Sequence, residues 1–206
     1  MMMSINRRFF FDNARERLFH GRLRAGQVEG MAAILDRFEE TMPEGDDRWL
    51  AYMLATAFHE TAETMQPVRE TLAASDARAI AILDDAFARG RLKSVKTPYW
   101  RPDKDGRSWL GRGFVQLTHR RNYEAMSRAT GIDLVAAPER AMEMAVAVTI
   151  LFRGMIDGSF TGRRLADAFS PAKEDWTGAR RIINGTDRAA LIAGYGRIFY
   201  AGISYA

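Results

Sequence analysis

Apolar residues recur at helical spacing along most of the chain. Start and stop signals divide the pattern: Pro43-Glu44-Gly45 ends one apolar stripe, Asp46 or Asp47 can cap the next, and Asn184-Gly185 separates the last two. The segment 138–155 has so few polar positions that we expect a central helix buried nearly all round. The pattern predicts about eight helices, over residues 6–19, 25–40, 46–66, 75–90, 121–129, 138–155, 174–183 and 188–203.

The pattern changes between residues 95 and 115. Aromatic, strand-prone segments flank the turn residues Asp105-Gly106, which predicts a small β-hairpin near residues 95–115. The fold class is therefore mainly α, in the α+β sense of helices with one small hairpin. We see no internal repeat, linker or low-complexity tract, so residues 1–206 are expected to form one catalytic domain, with helices from 1–44 packed on a core from 45–206.

Composition narrows the class of protein. Hydrophobic residues make up 47% and charged residues 27% of the 206 positions, which is typical of a globular protein and argues against wholesale disorder. The net charge of +4 suits an anionic partner, such as nucleic acid, a lipid surface or a bacterial wall. The absence of cysteine excludes disulfides, thiol catalysis and thiolate metal sites. No apolar run is long enough to span a bilayer and the start lacks a secretory apolar region, so synthesis and folding in the cytoplasm are expected.

Residues 57–71 carry the most informative chemistry. On a helical wheel Glu60 lies about 20° from Met53 and about 60° from Ala57, at the border of the apolar stripe. A carboxyl there would be partly desolvated, which suits a general acid. Pro67 ends the helix, so the chain can bring Glu70 round to face Glu60 across a groove. Two carboxylates in different environments, about 6.5–9.5 Å apart, are what an inverting glycosidase needs.

Simpler interpretations of this segment stay open. A glutamate near the end of a helix is usually solvated or paired with an arginine. Glu63 lies one turn after Glu60 and is a rival carboxylate, although its angle takes it further towards solvent. A zinc-protease helix is excluded, because that motif needs a second histidine at position 63. The prediction is therefore a site without metal or cofactor.

Two further stretches contain polar groups at regular spacing. In Gly111–Tyr123, glycines flank Arg112, and Gln116 and Thr118 alternate with apolar residues, so both polar groups could bind sugar hydroxyls or hold a hydrolytic water. The alternative is turn glycines and helix capping. In Arg180–Asp187, the Asn184-Gly185 pair follows an apolar helix, where it is commonly only a C-cap.

Taken in chain order, three motifs resemble glycoside hydrolase family 19, which comprises chitinases and phage or prophage endolysins on a lysozyme-like, α-rich fold. They are His-Glu-Thr ending at residue 61, Gly-Arg-Gly-x-x-Gln-Leu-Thr at 111–118 with Asn122-Tyr123, and Ile-Ile-Asn-Gly at 182–185. The resemblance runs from about residue 45 to the C-terminus. The opening helices are similar to those of compact phage-type members.

The resemblance implies a role for each matching position. Glu60 would be the general acid and Glu70 the general base, although some phage relatives use an Asp and a Thr after the first Glu, so Thr71 could share the second role. Thr118 would help to position the water. The other implied positions are sugar-binding Gln116, Asn122 and Asn184, Arg197 supporting the carboxylates, and aromatic faces from Tyr99, Trp100 and Trp109, for which hairpin core is the alternative.

These observations predict a peptidoglycan-degrading glycoside hydrolase of endolysin or lysozyme type, which cuts β-1,4 bonds between amino sugars by inversion. It would be a monomer, made in the cytoplasm and acting on the cell wall after release. Chitin is the alternative substrate, because both polymers carry N-acetylglucosamine. A glycan-binding protein without catalysis is a more distant alternative. Nucleic-acid binding is disfavoured, because pairs such as Arg120-Arg121 and Arg180-Arg181 are scattered rather than gathered in one stripe.

Overall fold

A computed structural model describes residues 4–205 of the protein. Helices predominate in this range, with short antiparallel strand pairs, so the predicted mainly α class is confirmed. Among these residues, none of the helices has the length and apolar character needed to cross a membrane. The helices are α1 Arg7–Leu18, α2 Ala25–Thr41, α3 Asp47–Glu60, α4 Asp76–Ala88, α5 Arg120–Thr130, α6 Met144–Asp157, α7 Leu165–Ala168 and α8 Ala189–Ala201.

Short 3₁₀ helices and strands connect these elements. The 3₁₀ helices cover Glu70–Leu72, Pro138–Met142 and Gly178–Ile182. The strands are β1 Val68–Arg69, β2 Arg112–Gly113, β3 Phe169–Ser170 and β4 Lys173–Glu174. Strand β1 pairs antiparallel with β2, and β3 pairs antiparallel with β4.

The core is built on α3, which is buried from Leu50 to Phe58 and packs along α8. Helix α6 is also buried on most of its faces, as its shortage of polar positions predicts. An antiparallel bridge between Ile5 and Tyr205 joins the ends of the described chain beside α1 and α8. A smaller cluster packs Trp100 on α4.

Capping explains where several helices start and end. The carboxylate of Asp46 accepts the N–H of Arg48 and so begins α3. The predicted end of α3 near residue 66 is wrong, because the helix ends at Glu60. The Thr61 hydroxyl donates to the Ala57 carbonyl and accepts the N–H of Met65, which turns the chain back instead of extending the helix.

Extended chain is present near the predicted hairpin, but its pairing differs from the prediction. The turn forms as expected, with the Gly106 N–H donating to the Asp103 carbonyl at 2.9 Å. Residues 95–101 are not a strand, because Pro98 lacks an N–H donor and Trp100 is fully buried against α4. The strand after the turn, β2, pairs instead with β1, which lies just before Glu70.

The predicted helix over residues 174–183 is also wrong. Lys173–Glu174 forms a strand, and only Gly178–Ile182 is helical, as a 3₁₀ helix. Trp176 explains the difference, because it is buried against Tyr52 and Phe169 and so fixes the chain beside the β3–β4 hairpin. The Asp175 carboxylate then accepts the Gly178 N–H and starts the 3₁₀ helix.

Candidate active site

Glu60 is the last residue of α3, and its carboxylate is held by an arginine from a distant part of the chain. Its Oε1 accepts a hydrogen bond from Nη1 of Arg180 at 2.6 Å. The Glu60 side chain is 17% exposed and that of Arg180 only 4%. Among residues 4–205 the protein donates no hydrogen bond to Oε2 of Glu60, so that oxygen can meet a ligand or water.

Arg180 lies in the 3₁₀ helix Gly178–Ile182, and its burial keeps the guanidinium in one position. Its Nε donates to the Asp187 carbonyl at 3.1 Å, so two contacts orient the fork. The turn that brings Asp187 there passes through Arg188, whose φ of 57° lies in the left-handed region. A buried guanidinium needs a negative partner, and Glu60 supplies it.

Glu70 belongs to a second network, at the start of the 3₁₀ helix Glu70–Leu72. Its Oε1 accepts the Tyr99 hydroxyl at 2.6 Å, and its Oε2 accepts the Gly111 N–H at 2.9 Å. The Glu70 N–H in turn donates to the Gly111 carbonyl at 2.7 Å, which extends the β1–β2 pairing by one step. Each carboxylate oxygen has a second lone pair, so Glu70 can still accept a proton from a water.

Gln116 and Thr118 surround the same glycine. A Cβ on Gly111 would lie 2.7 Å from Oε1 of Gln116 and 3.2 Å from Cγ2 of Thr118, so only glycine fits there. The Gln116 amide donates to the Val68 carbonyl at 3.0 Å and so ties this loop to β1. The structure therefore brings Glu70, Tyr99, Gln116 and Thr118 together around Gly111.

His119 adds an aromatic ring to this network. Its ring centroid lies 4.2 Å from that of Tyr99. Burial, followed by the charge of Arg121, lowers the pKa of His119 below its ordinary value, so the ring beside Tyr99 is neutral near pH 7. Burial and the hydrogen bond to Glu70 raise the pKa of Tyr99, which therefore stays a donor.

Backbone strain is concentrated around the two carboxylates. Within residues 4–205, nine residues other than glycine have positive φ, and seven of them lie in segments 62–72 and 116–119. Thr71 is the most unusual of these, because a β-branched residue rarely adopts the φ of 66° found here. Such strain persists only where surrounding contacts enforce it, and it is commonly found at functional sites.

Glu60 and Glu70 thus lie in separate networks, one built on Arg180 and the other on Tyr99 and Gly111. Residues 61–69 join them, and α2 supports this connection where Gly30 contacts the Met65 carbonyl. That the two carboxylates face a common groove stays a prediction. Glu63, the rival carboxylate, is exposed and borders a different depression beside the α1–α2 loop.

Other predicted site residues lie outside these two networks. The arginine that supports Glu60 is Arg180 and not Arg197, which is exposed on α8 with its guanidinium 5.8 Å from the centre of the Trp176 ring. The predicted aromatic faces of Trp100 and Trp109 are wrong, because the two rings are 0% and 5% exposed and form core.

The two predicted asparagines make local contacts. Asn122 donates to the Thr118 carbonyl at 2.8 Å, which places it next to the Gly111 network and ties the first turn of α5 to the preceding loop. Asn184 is exposed, and its Oδ1 accepts the N–H of Gly185 at 2.8 Å. Both interactions match the simpler interpretation of these motifs, in which polar side chains stabilise turns and helix ends.

Sequence reasoning missed two features of the site. From the sequence, Arg180 belongs to one of several scattered arginine pairs, and Tyr99 is expected to stack on a sugar ring. In the structure Arg180 binds the Glu60 carboxylate and Tyr99 binds the Glu70 carboxylate. The sequence offers only a weak signal for Arg180, which is its position two residues before the apolar pair Ile182-Ile183.

Comparisons with known proteins add no family. No protein-family model matches the chain, and no solved structure matches it. In the part of the chain covering residues 4–205, no group of three or more His, Asp or Glu side chains could hold a metal ion. Function is therefore inferred from the chemistry of the site itself.

Proposed function

We propose that this protein is a glycoside hydrolase that cleaves β-1,4 bonds between the amino sugars of peptidoglycan, by an inverting mechanism in which Glu60 and Glu70 are the acid and the base. One observation carries the proposal: two partly buried glutamates, ten positions apart, are each fixed by a different set of donors within the most strained part of the backbone. Their different surroundings are what an acid and a base require.

Glu60 takes the role of general acid. When it donates a proton to the leaving oxygen, negative charge develops on its carboxylate, and Arg180 at 2.6 Å stabilises that charge. A fixed, nearly buried guanidinium does this without reorganising at the moment of reaction.

Glu70 takes the role of general base. Tyr99 and the Gly111 N–H hold its two oxygens in a fixed orientation, and the remaining lone pairs can accept a proton from water. Thr118 lies against Gly111 through its methyl group, and its hydroxyl takes the role of positioning that water, as the family resemblance implies. Inversion follows if the water attacks the sugar on the face opposite the leaving group.

Peptidoglycan is the proposed polymer because the opening helices resemble those of compact phage-type members of the family and the net charge of +4 suits an anionic wall. Chitin is uncharged, so the positive net charge of the protein does not favour its binding. Both substrates belong in the test, since both present N-acetylated amino sugars.

The decisive experiment measures turbidity loss of bacteria stripped of their outer membrane. Wild type should clear the suspension, and Glu60→Gln and Glu70→Gln should each be slower by at least about 100-fold, because acid or base catalysis contributes roughly 10²–10⁴-fold. Glu63→Gln is the matched control and should clear like wild type, since this carboxylate is exposed elsewhere. Equal clearing by wild type and Glu60→Gln removes Glu60 from the mechanism.

The products identify the reaction class. Mass spectrometry of digested wall should show new reducing-end amino sugars, and proton NMR should show the inverted anomer first. Release of peptides without new reducing ends would reject a glycosidase. Chitin oligomers digested in parallel reveal whether that polymer is preferred.

A glycan-binding function without catalysis is a second candidate, and the Glu60–Arg180 pair favours it because the same pair can serve to hold the Gly178–Ile182 segment against the end of α3. In that case the protein would sediment with walls and release no reducing ends. Glu60→Gln would then change binding rather than product formation.

A further inference from the structure

A basic cavity lies beside the 3₁₀ helix Gly178–Ile182, next to α7 and the β3–β4 hairpin. Its volume is about 120 Å³. Four basic side chains converge on it from three segments of the chain, namely Arg163, Arg164, Lys173 and Arg181.

The two acidic residues in the cavity wall are already engaged by backbone amides. Oδ2 of Asp167 accepts the Arg164 N–H at 2.9 Å, and Oδ1 of Asp175 accepts the Gly178 N–H at 2.7 Å. A Cβ on Gly178 would lie only 2.0 Å from Oδ2 of Asp175, so the glycine allows that carboxylate to fold onto the backbone. These hydrogen bonds stabilise the cavity wall, and each of the two carboxylates keeps its single negative charge.

The cations themselves lack carboxylate partners. Within residues 4–205, no ion pair forms at Arg163, Arg164 or Arg181. The Lys173 ammonium donates to the backbone carbonyl of Asp167, which holds it at the rim but leaves its charge uncompensated. Four positive side chains against two engaged carboxylates give the lining a net positive charge.

Size and donor geometry identify the ligand chemistry. The cavity has room for a small anion, and it is lined by four cationic side chains. Guanidinium groups match phosphate oxygens with forked donors. We propose that this cavity binds a phosphate group, supplied either as a free phosphate or phosphoester or as the headgroup of an anionic lipid.

The cavity is adjacent to the Glu60 network but uses different side chains. Successive residues of a 3₁₀ helix point about 120° apart, so Arg180 reaches Glu60 while Arg181 faces the cavity. A phosphate held there would anchor the protein close to its candidate active site. Phosphate binding does not depend on the proposed hydrolysis and can be tested separately.

The first test measures thermal unfolding of the whole chain in sodium phosphate and in sodium chloride of equal ionic strength. A ligand that binds only the folded state raises the Tm in proportion to its occupancy. Wild type should show a saturable rise in phosphate alone, and Arg181→Gln and Arg163→Gln should each weaken the apparent affinity by about tenfold, since each loses charge-assisted hydrogen bonds. Arg91→Gln, an exposed arginine beyond the end of α4, is the matched control and should respond like wild type.

A second arm distinguishes the two sources of phosphate. Binding to phosphatidylglycerol vesicles that is competed by inorganic phosphate and lost in Arg181→Gln identifies a lipid headgroup, whereas phosphate binding without vesicle binding identifies a soluble phosphoester. Both results support the site. An equal Tm rise in wild type, Arg163→Gln and Arg181→Gln, or no rise in wild type, overturns it. Because these side chains are exposed, the variants should unfold like wild type in chloride.

Discussion

The Glu60–Arg180 ion pair should show a far larger coupling energy than a pair on the surface. With an effective dielectric constant of about 20 and charge centres about 4 Å apart, the Coulomb attraction is about 4 kcal/mol. Removing one partner of a buried pair costs roughly 3–5 kcal/mol, because the other charge stays desolvated. Glu60 keeps 17% exposure, which lets water screen it, so we expect a coupling energy of about 2–3 kcal/mol.

A double-mutant cycle measures this coupling. Glu60→Gln, Arg180→Met and the double variant would be unfolded in urea, and the interaction energy taken as the non-additive part of the change in unfolding free energy. The pair between Asp85 and Arg89 is the control. Its nitrogen–oxygen distance is also short, at 2.8 Å, but both side chains are more than half exposed, so the coupling energy should be less than about 0.5 kcal/mol. Equal coupling energies for the two pairs would refute the buried electrostatic link.

Three further predictions concern the Glu70 network and the segment that joins it to Glu60. Tyr99→Phe removes the hydroxyl donor to Glu70 and should lower kcat about tenfold with little change in KM, measured as release of reducing ends. The stability advantage of wild type over Tyr99→Phe, measured by urea unfolding, should fall above pH 10. The pKa of Tyr99 is near 10.0 in the unfolded chain, whereas burial and Glu70 raise it in the folded protein. Above pH 10 the unfolded state therefore loses the proton that the folded state keeps, which favours unfolding. Constant advantage from pH 8 to 11 would contradict this sign. Gly30→Ala places a Cβ 1.6 Å from the Met65 carbonyl oxygen and should destabilise the protein by about 3 kcal/mol. The control is Gly194→Ala in α8, where the new Cβ meets open space and should stabilise the protein by about 0.5–1 kcal/mol. Similar effects of the two substitutions would contradict the close approach of α2 to this segment.

Local signals predicted most of the helices. The apolar spacing and the cap at Asp46 set α3 correctly at its start, and Ser75 accepts the Arg78 N–H at the predicted start of α4. These signals depend on neighbours within one or two turns, so they are visible in the sequence. Pro67 limits α3 to residues before about 66, but the helix ends about six residues earlier. The Thr61 side chain ends it there, through its hydrogen bonds to the Ala57 carbonyl and the Met65 N–H.

Contacts between residues far apart in the chain could not be predicted from the sequence. Strand β2 follows a good turn signal, yet it pairs with β1, about 40 positions earlier. The nearer segment, residues 95–101, does not pair with it because Trp100 is buried against α4. The partner of Glu60 is likewise 120 positions away. Helical spacing indicated that Glu60 borders the apolar stripe, but only the packing of the Gly178–Ile182 segment determines which cation meets it.

Strain links the fold to the candidate chemistry. A relaxed turn could connect α3 to β1, but Ala62, Glu63 and Met65 in this connection adopt left-handed conformations, as do Thr71 and Leu72 just after β1. Such conformations cost free energy at non-glycine positions. Tertiary contacts must offset that cost, and those visible at this connection are Gly30 on Met65, Thr61 on α3 and Gly111 on Glu70. Each of these contacts also fixes a glutamate or the segment between the two glutamates. The contacts that stabilise this unusual backbone are therefore the same ones that would keep an acid and a base in a fixed arrangement.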